Sequence, residues 1–191
     1  RGSGRRCGLI GTVEYDLGDR IIPAARTTPE SLELHAYFAG MVRAGCELCV
    51  MEVSSHALQQ HRVAGLQFSS IAFTNLTQDH LDYHGDMENY FATKRRLFEM
   101  QTKHAEQLVN MDDPFGKRLM REFDARTFGE AEEATFRITD LTLGQRMTRF
   151  QISGNEYCMP LIGRHNVANA AAAVGLARGI GISADECAKA L

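Results

Sequence analysis

Short apolar runs that alternate with helical stretches are the feature that most constrains the fold of this chain. The runs are rich in β-branched residues, and the stretches between them repeat apolar residues at helical intervals. Strands that alternate with helices are typical of an α/β fold with a parallel sheet. We therefore expect strands over residues 7–15, 47–53, 69–75 and 106–110, and helices over residues 29–44, capped by Thr28, 87–100 and 114–123.

The pattern changes after residue 125. The segments RTFG, TFRITDLTL, RMTRFQI and EYCMP are typical of short antiparallel strands with glycine turns between them. An alanine-rich helix is expected over residues 163–181, and Ser183–Glu186 (S-A-D-E) is a capping box that opens another helix. The predicted architecture is α/β: a mostly parallel sheet with helices on both faces, plus a small antiparallel sheet.

Composition excludes several classes of protein. The 191 residues carry a formal net charge of -3, which argues against a nucleic-acid partner. No apolar run approaches the roughly 20 residues that span a bilayer. Five scattered cysteines fit a reduced, cytoplasmic setting. Cys46 and Cys49 form a C-x-x-C, but because no second pair completes a zinc site, we expect them to pack in the fold.

Glu52 lies at the end of an apolar predicted strand, in the segment MEVSSHALQQHR. Ligands of parallel α/β sheets bind beyond the carboxyl ends of the strands, so this carboxylate is well placed to hold a metal. An alternative is that Ser54 or Ser55 caps the next helix and Glu52 lies in solvent. This segment alone leaves both interpretations open.

The next predicted strand leads into LTQDHLDYHGD, which holds Asp79, His80, Asp82 and His84 within six residues. Histidines and carboxylates at this spacing indicate a Mg²⁺ or Mn²⁺ site. The alternative is a polar loop with solvated charges. A zinc-protease site is excluded, because HLDYH lacks the glutamate that follows the first histidine in such sites.

Lys94 lies within the apolar stripe of the predicted helix 87–100, near Tyr90, Phe91 and Leu97. It could extend its ammonium group to water along the aliphatic stem. It could instead point into a site, where burial would favour the neutral, reactive amine. If the adjacent strand–helix units are neighbours, Glu52, His80 and Lys94 converge, and such a set suggests phosphoryl chemistry.

Four segments together resemble the Mur ligase family: RTTPESLEL, MEVSSHALQQHR, FTNLTQDHLDYHGDMENYFATKRRLFE and GRHNVANAAAAVGLA. The resemblance is strongest to the members that add the third amino acid of the peptidoglycan precursor, and it covers residues 7–191. It implies the P-loop-type central domain of these enzymes. It also implies that ATP activates the free carboxylate of UDP-MurNAc-L-Ala-D-Glu as an acyl phosphate, which the amine of diaminopimelate or lysine then attacks.

The resemblance also implies roles for individual residues. Glu52 would hold a Mg²⁺ that bridges the ATP phosphates, and His80 and a carbamylated Lys94 would hold a second Mg²⁺, so these three form the catalytic set. The remaining matches would bind ligands: the muramoyl-dipeptide at Thr27, Thr28, Ser54, Gln60 and Arg62, and the adenine at His165, Asn166 and Asn169.

The sequence departs from the family pattern at the phosphate loop. No G-x-x-x-x-G-K-[ST] occurs in the 191 residues. We therefore expect an incomplete central domain, without its first strand and loop and without the flanking UDP-binding and amino-acid-binding domains. Such a chain would be monomeric and inactive alone. The alternatives are another Mur ligase, a folylpolyglutamate synthetase-like enzyme, a generic phosphohydrolase, or a degenerate binding module, although a degenerate module should have lost Glu52, His80 and Lys94.

Overall fold

A computed structural model of the protein describes residues 4–77 and 81–191. The chain divides into two compact units. The first comprises Arg1–Leu66 and Asp82–Leu97, and the second comprises Gln67–Leu81 and Phe98–Leu191.

The first unit is built on a small sheet with strand order β3-β2-β1-β4. The strands β1 and β4 run parallel, whereas β1, β2 and β3 form an antiparallel meander. The helix α1 lies close to the sheet, because a Cβ built on Gly8 would be 2.4 Å from Sδ of Met41. The elements are β1 (Cys7–Ile10), β2 (Glu14–Asp16), β3 (Ile21–Pro23), α1 (Ser31–Arg43), β4 (Leu48–Met51), α2 (Ser55–Gln59), α3 (Leu81–His84, which starts at the unit boundary) and α4 (Met87–Arg95).

Two predictions for this unit were wrong in detail. Residues 7–15 form two strands rather than one, because the backbone N–H of Gly11 donates to the carbonyl of Glu14 and closes a turn between β1 and β2. Thr28 does not cap α1. Glu30 takes the cap position in a capping box with Glu33, because the Thr28 hydroxyl is engaged elsewhere.

The second unit contains a mixed sheet with strand order β10-β9-β8-β7-β6-β5. Neighbours from β5 to β8 pair parallel, and those from β8 to β10 pair antiparallel. The elements are β5 (Phe68–Phe73), a 3₁₀ turn (Arg96–Glu99), β6 (Gln101–Asn110), α5 (Pro114–Phe123), β7 (Arg126–Gly129), β8 (Phe136–Leu143), β9 (Thr148–Ile152), β10 (Asn155–Met159), α6 (Arg164–Gly179) and α7 (Ala184–Ala190).

The mixed α/β class, with a mostly parallel sheet and a small additional sheet, is confirmed. The prediction for RTFG was wrong in direction: β7 pairs parallel with both β6 and β8, so the antiparallel part begins only at the β8–β9 pair. The predicted helix 87–100 ends its α-helical part at Arg95 and continues as the 3₁₀ turn.

The core of the second unit lies between its sheet and α6. Leu108, Phe128 and Ala171 are fully buried in it. Gly175 allows the close approach of α6, because a Cβ there would lie 2.5 Å from Cδ2 of Leu108. None of the helices in the described part of the chain combines the length and apolarity that a membrane span needs.

Candidate active site

The candidate site of the first unit starts where β1 and β4 end side by side. Glu52 follows β4, and its backbone N–H donates to the carbonyl of Ile10, the last residue of β1. The Glu52 side chain is exposed, and its Oε2 lies 2.6 Å from Oγ1 of Thr12. The Thr12 hydroxyl in turn lies 3.1 Å from Oγ1 of Thr27. The carboxylate therefore lies at the carboxyl end of parallel strands, where α/β proteins bind ligands.

Thr28 links the loop before α1 to the turn after β4. Its hydroxyl donates to the carbonyl of Glu52 at 2.9 Å and accepts from the backbone N–H of Ser54 at 3.0 Å. The side chain of Ser54 caps α2 by accepting from the N–H of Ala57. Ser54 thus caps the helix and Glu52 is exposed, as one of the two interpretations of this segment expected. The exposed Glu52 is also accessible to a ligand, so the cap does not exclude a role in binding.

Arg62 joins the other predicted substrate residues. Its Nη1 donates to the carbonyl of Thr28 at 3.0 Å, and its Nη2 donates to Oε1 of Gln60 at 2.5 Å and lies 3.2 Å from Oε1 of Glu30. Gln60 also donates to the hydroxyl of Tyr83 at 3.3 Å. The Arg62 side chain is only 13% exposed, and its Nε has no hydrogen-bond partner within the described residues.

Among the described residues, the buried Nε of Arg62 has no acceptor, although a guanidinium prefers charged or strongly polar acceptors. Burying a donor without a partner costs free energy, and an anion brought to it by a local rearrangement would remove that cost. The arrangement is therefore suited to binding a carboxylate or another anion.

The predicted metal loop is described only in part. Asp79 and His80 lie outside the described residues, and Asp82 falls in α3. The side chain of His84 is buried, 7% exposed, and its Nε2 lies 2.9 Å from Oγ of Ser55. Its ring stacks on Tyr90 with centroids 4.7 Å apart. This placement favours a packing role for His84 over the metal role that its spacing suggested.

Lys94 is half-buried on α4, and its Nζ lies 5.3 Å from the centroid of the Tyr90 ring. An ammonium group at this distance is attracted by the face of the ring. The reactive and carbamylated forms of Lys94 stay predictions.

The three predicted adenine residues lie in the second unit, in the first turns of α6. His165 and Asn169 are exposed, and Asn166 donates through Nδ2 to the carbonyl of Ile162 at 3.0 Å. The His165 ring lies against Gly163, where a Cβ would be 2.7 Å from Cε1. One helix face thus carries all three side chains, and the Asn166 amide also closes the turn before the helix.

The sequence reasoning overlooked Thr12, Glu30 and Tyr83, each of which contacts a predicted site residue. Thr12 lies just beyond the end of β1, but one strand was expected over residues 7–15, so the strand-end signal that pointed to Glu52 was hidden at Thr12. Glu30 and Tyr83 carry no such signal, because their contacts join segments far apart in the chain.

The donor set at Glu52 suits a hard cation. Carboxylate and hydroxyl oxygens are the ligands that Mg²⁺ prefers, and a Mg²⁺ site often uses one or two carboxylates together with substrate phosphates. No group of three or more His, Cys, Asp or Glu side chains suited to a metal occurs among the described residues. A bound ligand could supply further oxygen atoms to a cation at Glu52.

The model of the Mur ligase middle domain matches residues 3–177. This chain belongs to the Mur ligase family. Among curated relatives, it is 37% identical to UDP-N-acetylmuramoyl-L-alanyl-D-glutamate–2,6-diaminopimelate ligase of Clostridium perfringens, over 99% of this chain and 40% of that protein. The ligase of the same name from Gloeobacter violaceus is 42% identical, over 96% and 39%. The chain thus spans about two fifths of the length of these relatives.

Solved structures of Mur ligases share the fold. MurF from Acinetobacter baumannii superposes with a TM-score of 0.72 at 22% identity, over 86% of this chain and 38% of that one. MurF ligase from Thermotoga maritima, solved in complex with ADP, gives 0.63 at 18% identity, over 97% and 42%. At these identities the likeness concerns the fold alone.

Proposed function

We propose that this chain is part of an ATP-dependent ligase that adds the third amino acid to UDP-MurNAc-L-Ala-D-Glu. The observation that carries the proposal is the network of Thr28, Ser54, Gln60 and Arg62 beside the Glu52 carboxylate. Relatives 37% and 42% identical over nearly the whole chain bear the name of this activity with 2,6-diaminopimelate. Diaminopimelate is therefore the amino acid we propose, ahead of lysine.

In the proposed reaction, a carboxylate oxygen of the dipeptide attacks the γ-phosphorus of ATP, and ADP leaves. The amine of the incoming amino acid then attacks the acyl carbon and loses a proton, and phosphate leaves as the amide forms. Both steps require precise positioning and neutralisation of developing negative charge. The residues of this chain would supply part of the positioning and part of the charge neutralisation.

Arg62 would anchor the anionic dipeptide through its guanidinium group. Thr27, Thr28, Ser54 and Gln60 would complete the polar wall around the ligand. Because Arg62 is already held by Thr28, Gln60 and Glu30, little side-chain entropy is lost on binding. We infer that this cluster orients the dipeptide and that Glu52 lies toward the phosphates.

Glu52 would hold a Mg²⁺ together with oxygen atoms of ATP, and this cation would neutralise charge on the phosphates. We propose a second Mg²⁺ at His80 and a carbamylated Lys94. Carbamylation would require Lys94 to lose its proton and its contact with the face of Tyr90. His165, Asn166 and Asn169 would contact the adenine.

The 191 residues contain no phosphate-loop motif, so we propose that the loop cradling the ATP phosphates is supplied by other residues of the enzyme. We likewise propose that a UDP-binding domain and an amino-acid-binding domain accompany this one in the ligase. Such an enzyme would act as a monomer in the cytoplasm, where ATP and its UDP-linked substrate are found.

Arg62 provides the test. The full-length product of the reading frame that contains this sequence is assayed for ADP release and tripeptide formation, with Arg62→Lys, Arg62→Ala and the exposed Arg43→Ala as control. We expect both Arg62 variants to raise KM for the UDP-dipeptide about tenfold or more, because lysine keeps the charge but loses the planar fork. A wild-type enzyme that binds UDP-MurNAc-L-Ala-D-Glu but consumes no ATP would indicate a binding module instead.

A further inference from the structure

The Thr12 hydroxyl connects two residues to which the proposed function gives separate tasks. It lies 2.6 Å from Oε2 of Glu52, the proposed magnesium ligand, and 3.1 Å from Oγ1 of Thr27, a proposed substrate contact. These residues follow β4 and β3, and Thr12 itself follows β1. A single side chain therefore joins the ends of three strands.

The chemistry of the groups fixes the direction of these hydrogen bonds. An ionised carboxylate only accepts, so Thr12 must donate its single proton to Glu52. Thr12 can then only accept from Thr27, which makes Thr27 the donor of the second bond. The resulting chain of hydrogen bonds runs from Thr27 through Thr12 to Glu52.

The Glu52 carboxylate accepts a hydrogen bond from Thr12 through Oε2. Its Oε1 lies near the Gly11 backbone, where an added Cβ would come within 3.4 Å of it. The backbone beneath it is fixed, because β1 and β4 pair in register and Ile10 lies opposite Met51. With the backbone fixed, the Thr12 hydrogen bond is the contact within the described parts of the chain that orients the carboxylate group.

We propose that Thr12 is a positioning residue that orients the Glu52 carboxylate for its cation and couples that site to the substrate contact at Thr27. This inference rests on the proposed function. Thr12 itself needs to touch neither the cation nor the substrate. Its removal should therefore weaken the use of both without abolishing the reaction.

The test uses the full-length ligase with Thr12→Val, which keeps the shape and removes the hydroxyl, and Thr12→Ser, which keeps the hydroxyl. Val13→Thr is the matched control, because Val13 lies in the same turn and its side chain is exposed. For Thr12→Val we expect the half-saturating Mg²⁺ concentration and KM for UDP-MurNAc-L-Ala-D-Glu each to rise about three- to tenfold, as fits one exposed hydrogen bond. The Kd for UDP-MurNAc-L-Ala-D-Glu, measured by calorimetry without turnover, should rise by a similar factor. The value of kcat should change less.

Thr12→Ser should restore both constants, and Val13→Thr should leave them unchanged. The double variant Thr12→Val/Thr27→Val should raise KM for the dipeptide by less than the product of the single effects, because both changes break the same chain of bonds. Wild-type constants in Thr12→Val, or equal losses in Thr12→Ser and Val13→Thr, would overturn the inference while leaving the ligase activity in place. A wild-type enzyme without ligase activity would overturn the proposed function and, with it, this role of Thr12.

Discussion

The Ser55 hydroxyl and the His84 ring form a buried polar contact next to the candidate site. Both side chains are less than a tenth exposed, and Oγ and Nε2 lie 2.9 Å apart. Inside a protein, such a pair stabilises the fold only while both members are present. The His84 ring also stacks on Tyr90, whose face lies under Nζ of Lys94, so this contact supports the surroundings of Lys94.

Ser55→Ala should therefore lower the free energy of unfolding by about 1–3 kcal/mol, because it removes the hydrogen bond to Nε2 of the buried His84 ring. Urea denaturation followed by circular dichroism measures the change. The exposed Ser69→Ala is the control and should stay within about 0.5 kcal/mol of wild type. Equal stability of the two variants would mean that the Ser55–His84 contact contributes little.

At the residue scale, the resemblance assigned Thr28, Ser54, Gln60 and Arg62 to one ligand-binding set, and that role stays a prediction. Hydrogen bonds connect Thr28 with Ser54 and Arg62, and Arg62 with Gln60. The capping role expected of Thr28 was wrong, because its hydroxyl bonds to the turn after β4. Such a long-range bond leaves no trace in local spacing.

At the scale of elements, the space around a helix glycine decides whether alanine can replace it. Gly116 lies in the first turn of α5, where a Cβ would come within 2.0 Å of the carbonyl oxygen of Asn110. Gly40 lies in α1, and nothing lies within 4 Å of its Cβ position. The same substitution should therefore have opposite effects in the two helices.

Gly40→Ala should raise the free energy of unfolding by about 0.5–1 kcal/mol, because alanine loses less backbone entropy in a helix. Gly116→Ala should lower it by about 1–3 kcal/mol, because the carbonyl of Asn110 belongs to the backbone and cannot simply turn away. Urea denaturation of both variants tests the pair. Two changes of the same sign would contradict the packing described around α5.

A capping residue gives a second prediction for α5. Asp113 accepts from the backbone N–H groups of Phe115 and Gly116, and its other oxygen accepts from the N–H of Leu76. Asp113→Ala should destabilise the chain by about 1–2 kcal/mol in urea, and Asp113→Asn by clearly less, because asparagine also caps helices well. Equal losses would show that the charge or the second oxygen, which accepts from Leu76, matters more than the cap.

Helices and strands could be predicted from the sequence where nearby residues carry strong helix or strand signals. The helix Pro114–Phe123 and the Ser183–Glu186 capping box are confirmed, because proline, caps and apolar spacing act within a few residues. The parallel pairing of β7 and the division of the strands between two sheets were missed. Pairing depends on which segments meet in three dimensions, and strand length and composition do not encode it.

At the scale of the whole molecule, the prediction concerns what this chain can do without a phosphate loop. A cradle of backbone N–H groups is the usual way to hold the phosphates of ATP, and none of the 191 residues forms the motif that builds it. The chain alone should release no ADP above background in a coupled assay with ATP and Mg²⁺. ATP hydrolysis that Glu52→Gln abolishes would contradict this expectation.

The most direct test of the account is mass-spectrometric detection of product from the full-length enzyme. It is supplied with ATP, Mg²⁺, UDP-MurNAc-L-Ala-D-Glu and diaminopimelate, and compared with its Glu52→Gln variant. The account predicts the UDP-linked tripeptide with one ADP per amide bond, and a loss of about a hundredfold or more in the variant, because a charge-stabilising group is removed. No tripeptide from the wild-type enzyme, or an unchanged rate in Glu52→Gln, would contradict the central claim that this strand-end cluster serves a Mur ligase reaction.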